Sequence, residues 1–550
     1  MGPVRSTLLF TAIAAASACH PAHSPQSVAA SGPLVPSVSD LPAGSSPGAS
    51  RRPLAPAAAP EIAWFNGSVA DAFATAKRED KPVLLFWGAQ WCPFCHTLKA
   101  TVFPRPDFIA KTRLFIPVYL DGDSPGAQSW GERFGVLGYP TLVVLDADGR
   151  EILRLGAGRD VSEYAAVLDV ALEDLQPIDA LLSLAASGGA LSADQCRRLA
   201  YNSWDLEPDA PGTAGARALA LQTAARSCPA GDERANLTIY AAAFAAQAAS
   251  GADPASRARA AAQLAHLTDQ ITAMLAQPDL AVTLAPALAS LDESFFRAAR
   301  ARNAALAATL RDRYVRVMQR AASDPGYVLA DQLGFIDAQL EAMKSLSPAR
   351  APLPAPVLAA ADQRIDAALA AEQSPYVRPG LVNAALNILE DTDQYSRAYD
   401  IVKAEIGRSD SPYYFQADLA EVAEKLGRRT EAMHLLDVAY HGSRGPATRF
   451  QWGMLYVSGL LRMAPNDGGR IQAAGLEVLG ELDGPDRIAA RARVRLAQFD
   501  QQLRHWNAAD HGGHAAVLRA LRARAQQICV TLPAGQPERA SCDAFLAPRA

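Results

Sequence analysis

The chain has 550 residues, half of them hydrophobic, 20% charged and 7% aromatic, with a formal net charge of −5. That length exceeds what a single hydrophobic core supports, so two or three domains are expected, and the composition is ordinary for soluble globular protein. The slightly acidic balance argues against nucleic acid as a partner, and the abundance of alanine favours helix over sheet along most of the length.

Arg5 followed by the apolar run from Leu8 to Ala18 reads as an export signal, too short to span a bilayer comfortably. The run ends Ala16-Ser17-Ala18-Cys19, which resembles the lipobox of bacterial lipoproteins. That resemblance implies a signal peptide over 1–18 and lipidation of Cys19, which would become the mature N-terminus. Ala16 stands where those lipoproteins usually carry Leu, so cleavage after Ala18 without lipidation is the alternative. Residues 19–60 are Pro, Ala, Ser and Gly without apolar periodicity, and such a stretch buries too little surface to offset its ordering entropy. It reads as a disordered tether that lets folded domains reach into the periplasm, with the lipid as the sole membrane contact.

Residues 61–175 alternate helical and strand patterns. Trp64 to Lys77 has helical spacing, Lys81-Pro82 breaks it, and Val83 to Trp87 is an unbroken apolar run suited to a strand covered on both faces. Gln90-Trp91-Cys92-Pro93-Phe94-Cys95-His96 follows, then a helical pattern from Leu98 to Val102. The order strand, loop, Cys-x-x-Cys, helix sets the first cysteine at a helix N-terminus, where unpaired N–H groups and the macrodipole favour a thiolate. Leu114 to Leu120 is a second buried strand, Trp130 to Phe134 a short helix, and Val136 to Leu145 a third strand region containing Gly138-Tyr139-Pro140-Thr141. A polar turn at Asp146 to Gly149, a partner strand Glu151 to Leu155 and an amphipathic helix Val161 to Leu175 complete the unit. Asp121 and Asp123 read as a strand-end turn, because the ligand spacing of a calcium loop does not continue after them.

This segment resembles the thioredoxin fold, and within it the periplasmic proteins related to the C-terminal domain of the disulfide-reductase transporter DsbD. The resemblance rests on Lys81-Pro82-Val83, Trp91-Cys92-Pro93-Phe94-Cys95, Thr101-Val102-Phe103 and Gly138-Tyr139-Pro140-Thr141, about a fifth of the chain. It implies that Cys92 is the exposed attacking thiol and Cys95 the buried resolving one, with Pro140 cis beside them. It also implies that Tyr139 offers its backbone to an extended substrate, that Trp91 shields the site, and that Pro93, Phe94 and His96 tune the potential. Phe86 takes the place of the buried aspartate that relays a proton in many thioredoxins. No cofactor and no metal is called for.

Seven cysteines are present: Cys19, Cys92, Cys95, Cys196, Cys228, Cys529 and Cys542. With Cys19 lipidated and Cys92/Cys95 redox-active, the remaining four fall into the sequence-local pairs Cys196–Cys228 and Cys529–Cys542. As structural bridges each would contribute about 3 kcal/mol; as buried free thiols they would only pack. Residues 176–380 carry helical patterns broken by Pro, Gly, Asp and Ser, as do the C-terminal helices of 481–550. Within 381–480, Ala398 and Ala432 lie 34 residues apart, as do Pro412 and Pro446, and Lys425 to Ala432 resembles the turn of a tetratricopeptide repeat. Two units are convincing, with a degenerate third around Trp452 to Leu479. The expected architecture is therefore multidomain: an α/β thioredoxin fold followed by a mostly helical, solenoid-type region offering a concave surface to a peptide or protein.

The implied function is a membrane-tethered periplasmic thiol–disulfide oxidoreductase acting on protein thiols or disulfides, with an upstream redox partner in the membrane. Two rivals stand beside it: a soft-metal carrier holding copper(I) on the dithiol, and a scaffold whose repeats matter and whose dithiol is vestigial. His505, Asp510, His511 and His514 flank Gly512-Gly513 and read as turn residues between helices.

Overall fold

A computed structural model of the chain describes residues 61–136, 138–156, 163–206, 213–251, 253–347, 351–372, 374–484 and 487–548. The signal run, the tether and Cys19 lie outside them.

Ser68 starts the first helix, α1 (Val69–Glu79), by a reciprocal cap: its hydroxyl accepts from the Asp71 N–H at 3.1 Å while its own N–H donates to the Asp71 carboxylate at 3.2 Å. The helical pattern extends back to Trp64 in sequence, but this cap fixes the start four residues on, and Trp64 instead packs edge-on to Phe103. Strand β1 (Val83–Gly88) runs parallel to β2 (Ile116–Asp121) and antiparallel to β3 (Thr141–Leu145), which pairs antiparallel with β4 (Glu151–Leu155). The sheet order is β2-β1-β3-β4. Helices α2 (Pro93–Thr101), α3 (Pro106–Thr112), α4 (Ala127–Arg133) and α5 (Glu163–Glu173) flank it. Every residue of β1 is buried because the sheet is covered on both sides. Val83, Leu85 and Trp87 face a core with Val69, Ala72 and Phe134; Leu84 and Phe86 face the other, with Leu142, Val144 and Cys95.

That second core continues without interruption into the helical region. Strand β4 is the sheet's outer edge, and an uncovered edge invites foreign strands. Here Asn202 and Ser203 cover it: Asn202 Oδ1 accepts from the Arg154 N–H at 2.8 Å, and the Ser203 N–H donates to the Arg154 carbonyl at 2.9 Å. Cys196 and Cys228, bonded with Cα atoms 5.7 Å apart, join the helices on either side of that segment, and Cys529 bonds to Cys542 near the C-terminus.

Further along, three consecutive helix pairs begin at Arg378, Pro412 and Pro446, each 34 residues after the last. The first two turns match position by position. Gly427 holds φ +77° after the helix Pro412–Lys425, and Asp393, 34 residues earlier, takes the same left-handed conformation at φ +57°. Aspartate is among the few side chains that tolerate it. Across the repeats a row of carboxylates accumulates: Asp337 and Glu341 on the helix Leu329–Leu346, Glu390 and Asp391 on Arg378–Asp391, Asp418 and Glu421 on Pro412–Lys425.

Burial, reinforced by repulsion from Asp391 and Glu341, pushes the Asp337 carboxyl up to about 8, and its Oδ1 has no hydrogen-bond partner among the described residues. Burial and then Glu421 push Glu390 up to about 8 as well. A carboxyl raised this way is neutral in the fold and ionises on unfolding. Its contribution is complete below the ordinary value of 3.8 and is lost as pH climbs toward about 8. Asp337→Asn is therefore expected to match wild type in urea-unfolding stability at about pH 4 and to exceed it at about pH 8. Equal midpoints at both values would contradict the assignment.

Candidate active site

Strand β1 delivers the chain into Ala89-Gln90-Trp91, and Cys92 becomes the N-cap of α2 with extended backbone (φ −77°, ψ 114°). Pro93 takes the first helical position, where its missing N–H costs nothing and its fixed φ suits the helix. The Cys92 sulfur accepts the Cys95 backbone N–H at 3.1 Å. The two cysteines are disulfide-bonded, with Cα atoms 5.2 Å apart. The Tyr139–Pro140 peptide is cis, and the Tyr139 ring stands edge-on to Trp91 with centroids 5.4 Å apart. Cys92, Cys95, Trp91, Tyr139 and Pro140 thus lie in one neighbourhood, whereas Cys196–Cys228 and Cys529–Cys542 lie elsewhere in the array.

Access differs from the sequence expectation. Cys92 is 2% exposed and Cys95 0%, so the Cys92 sulfur is covered where an exposed one was expected. The cover is the helical array. Trp91 donates its indole N–H to Thr448 Oγ1 at 2.7 Å, and its ring stacks on Tyr414 and meets Trp452 edge-on at 5.0 Å. Asp123, which reads as a turn residue in sequence, closes the joint. Its carboxylate accepts from the Thr448 N–H at 3.0 Å, from the Thr448 hydroxyl, and from the Trp91 indole at 3.2 Å. Gly445 passes directly over that carboxyl with φ +88°, where any Cβ would collide with Asp123. Gly380 likewise lies against α2: a Cβ there would sit 3.0 Å from Thr97 Oγ1 and 4.0 Å from the Phe94 ring. On the far side, Glu132 accepts from the Arg493 guanidinium at 2.5 Å and from the Ala490 N–H at 3.0 Å. What stays open is a cleft of about 620 Å³ beside Trp91, walled by Gln90, Asp121, Asp123, Tyr413 and Arg444.

His96 is half-buried with its ring edge against Tyr376, and burial holds its pKa below the ordinary value. That environment disfavours the charged imidazolium. Phe86 packs among Trp64, Phe103 and Tyr119, so no carboxylate stands at that position under the dithiol. The polar group on that side is one the sequence reading missed. Lys99, one helical turn past Cys95, donates to the Tyr119 hydroxyl at 3.2 Å, and that hydroxyl donates to Asp121 at 3.3 Å. Burial depresses Lys99 and raises Asp121. Among the described residues no group of three or more His, Cys, Asp or Glu side chains is placed to hold a metal ion, and no helix is long and apolar enough to cross a membrane. His514 stacks on Trp506 at 3.7 Å.

Residues 69–171 match a family profile described as a thioredoxin-like domain. A curated relative from Chlamydia pneumoniae, Disulfide bond reductase DsbH, is 29% identical over 113 residues. That alignment takes in 18% of this chain and 66% of the relative, so the chain spans just under two thirds of the relative's length. A solved structure, a DsbH oxidoreductase, has 25% identity, covers 23% of this chain and 94% of its own, and superposes with a TM-score of 0.19.

The joint has a direct test. Thr448→Val keeps the side-chain shape but removes the hydroxyl that serves both Trp91 and Asp123. A buried donor and acceptor left short cost about 1–3 kcal/mol. The expected outcome is a stability loss in that range together with faster deuterium uptake in the peptide covering residues 88–96. Unchanged uptake would show that the joint does not hold the cover down.

Proposed function

Starting from a chain whose residues 69–171 are a thioredoxin-like domain, we propose that this protein is a thiol–disulfide oxidoreductase working through Cys92 and Cys95. The observation that carries the reading is the placement of the Cys92 sulfur at the N-cap of α2, accepting the Cys95 N–H at 3.1 Å. In the reduced protein that site favours the thiolate, the reacting species.

In the reductive direction the Cys92 thiolate attacks one sulfur of a substrate disulfide, forming a mixed disulfide and releasing the first substrate thiolate. Cys95 then loses its proton and attacks the Cys92 sulfur. The second substrate thiol leaves and the Cys92–Cys95 bond forms, so the substrate gains two electrons and the protein loses two. A dithiol partner, proposed to reside in the membrane, returns the protein to its reduced state. Pro140 and the Tyr139 backbone line the approach of an extended substrate, and Pro93 and Phe94 set the surroundings of the pair. The substrates are thiols and disulfides that reach Cys92 through the cleft beside Trp91; the helical repeats hold or select them. The reductive direction is favoured by the Chlamydia pneumoniae relative, which is named a disulfide bond reductase. The signal run, Cys19 and the tether support export, with the enzyme anchored by lipid and working in the periplasm.

Equilibration of the Cys92–Cys95 pair with glutathione buffers tests both the activity and its direction. A potential near −270 mV, about that of thioredoxin, is expected, whereas a value near −120 mV would make the protein an oxidant. Cys92→Ala should abolish exchange, and Cys95→Ala should accumulate a mixed disulfide with substrate. An intact fold with no exchange in wild type would overturn the reading.

A further inference from the structure

A second cavity, of about 270 Å³, lies on the other side of Tyr139, between the Asp123–Gln128 loop and the start of the helix Ala490–Ala509. Its walls include Asp123, Gln128, Phe450 and three arginines, Arg487, Arg491 and Arg495. Arg491 is held: it donates to Gln451 Oε1 at 2.9 Å and its guanidinium lies 4.5 Å over the Tyr139 ring. Arg495, one helical turn on, is part-buried and has no carboxylate or hydrogen-bond acceptor among the described residues; its charged neighbour is Arg491.

Asp123 in the cavity wall and Glu132, bonded to the start of the same helix, are already committed. Asp123 is engaged by Thr448 and Trp91, and Glu132 by Arg493 and the Ala490 N–H. Guanidinium groups withdrawn from water without a counter-charge are costly, and a planar five-donor fork suits a carboxylate. Tyr139 packs between the cavity wall and the redox site: Arg491 lies over its ring, and Trp91, the residue before Cys92, stands edge-on to it.

We propose that this arginine pocket binds a carboxylate of the disulfide or thiol substrate, and so selects acidic substrates for the Cys92–Cys95 pair. The inference rests on the exchange activity proposed above and adds the substrate class to it. The carboxylate has two sources, a small anionic disulfide or an acidic side chain in a peptide. The chemistry at Arg495 is the same for both.

Glutathione disulfide, which is anionic, and hydroxyethyl disulfide, which is neutral, separate the pocket from the dithiol. The ratio of their kcat/KM values is expected to exceed about 10 in wild type, to fall about tenfold in Arg495→Gln through KM, and to be largely kept in Arg495→Lys. Arg487→Gln, in the loop at the cavity wall, should lower the ratio in the same direction and covers the case in which Arg495→Gln does not fold. A peptide disulfide flanked by Glu, compared with its Gln counterpart, shows the same preference if peptides are the source; if only glutathione disulfide shows it, the ligand is small. A ratio near one in wild type, or one unmoved by both arginine variants, overturns the proposal. If wild type reduces neither reagent, the exchange reading has failed. Calorimetric titration of the Cys92→Ala/Cys95→Ala variant with glutathione disulfide then decides the pocket alone: binding that Arg495→Gln abolishes supports it, and no binding refutes it.

Discussion

A sulfur at the N-cap of a helix meets unpaired backbone N–H groups and the positive end of the helix dipole together, and the rest of this site depends on that placement. Cys92 is put there by the buried strand β1 and kept there by Pro93 at the first helical position. Two effects compete at this sulfur. Its burial opposes ionisation, while the Cys95 N–H and the dipole favour it. Cys95, at the third helical position and 0% exposed, is not the cap. The two sulfurs therefore stand in unlike surroundings, which is the basis of the proposed division into attacker and resolver.

Much of the packing around Trp91, the neighbour of Cys92, comes from outside the thioredoxin-like domain. The helical array first seals the edge strand β4 through Asn202 and Ser203, then reaches around to close over Trp91 through Thr448, Tyr414 and Trp452. Asp123 is the hinge of this arrangement in an energetic sense, since three donors answer its carboxylate and two of them belong to Thr448. Two cavities beside the joint have walls that both parts of the chain supply. Arg491 and Arg495, on which the proposed substrate selection rests, stand at this joint.

Much of this was legible in the residues. The unbroken apolar run Val83 to Trp87 announced a strand buried on both faces, and it is one because packed layers cover both sides of the sheet. The order of strand, Cys-x-x-Cys and helix located the N-cap, and the 34-residue spacing of Pro412 and Pro446 located two helix pairs; the third, from Pro446, was legible only weakly because its turn lacks the Gly427 signature. The cover over Cys92 was not legible. Thr448 lies 357 residues from Trp91, and a threonine in a helix gives no local sign of a distant indole. Asp123 looked like a turn residue because its partners are equally remote. The packing of His96 against Tyr376, which disfavours its charged form, is likewise a tertiary fact.

Site-resolved alkylation of the reduced protein across pH bears most directly on the central claim. With iodoacetamide and peptide mass analysis, carboxamidomethylation is expected at Cys92 first, with an apparent pKa below the roughly 8.5 of a free thiol, while Cys95 stays unmodified until well above it. Modification of Cys95 ahead of Cys92, or a Cys92 pKa at or above the free-thiol value, would contradict the account.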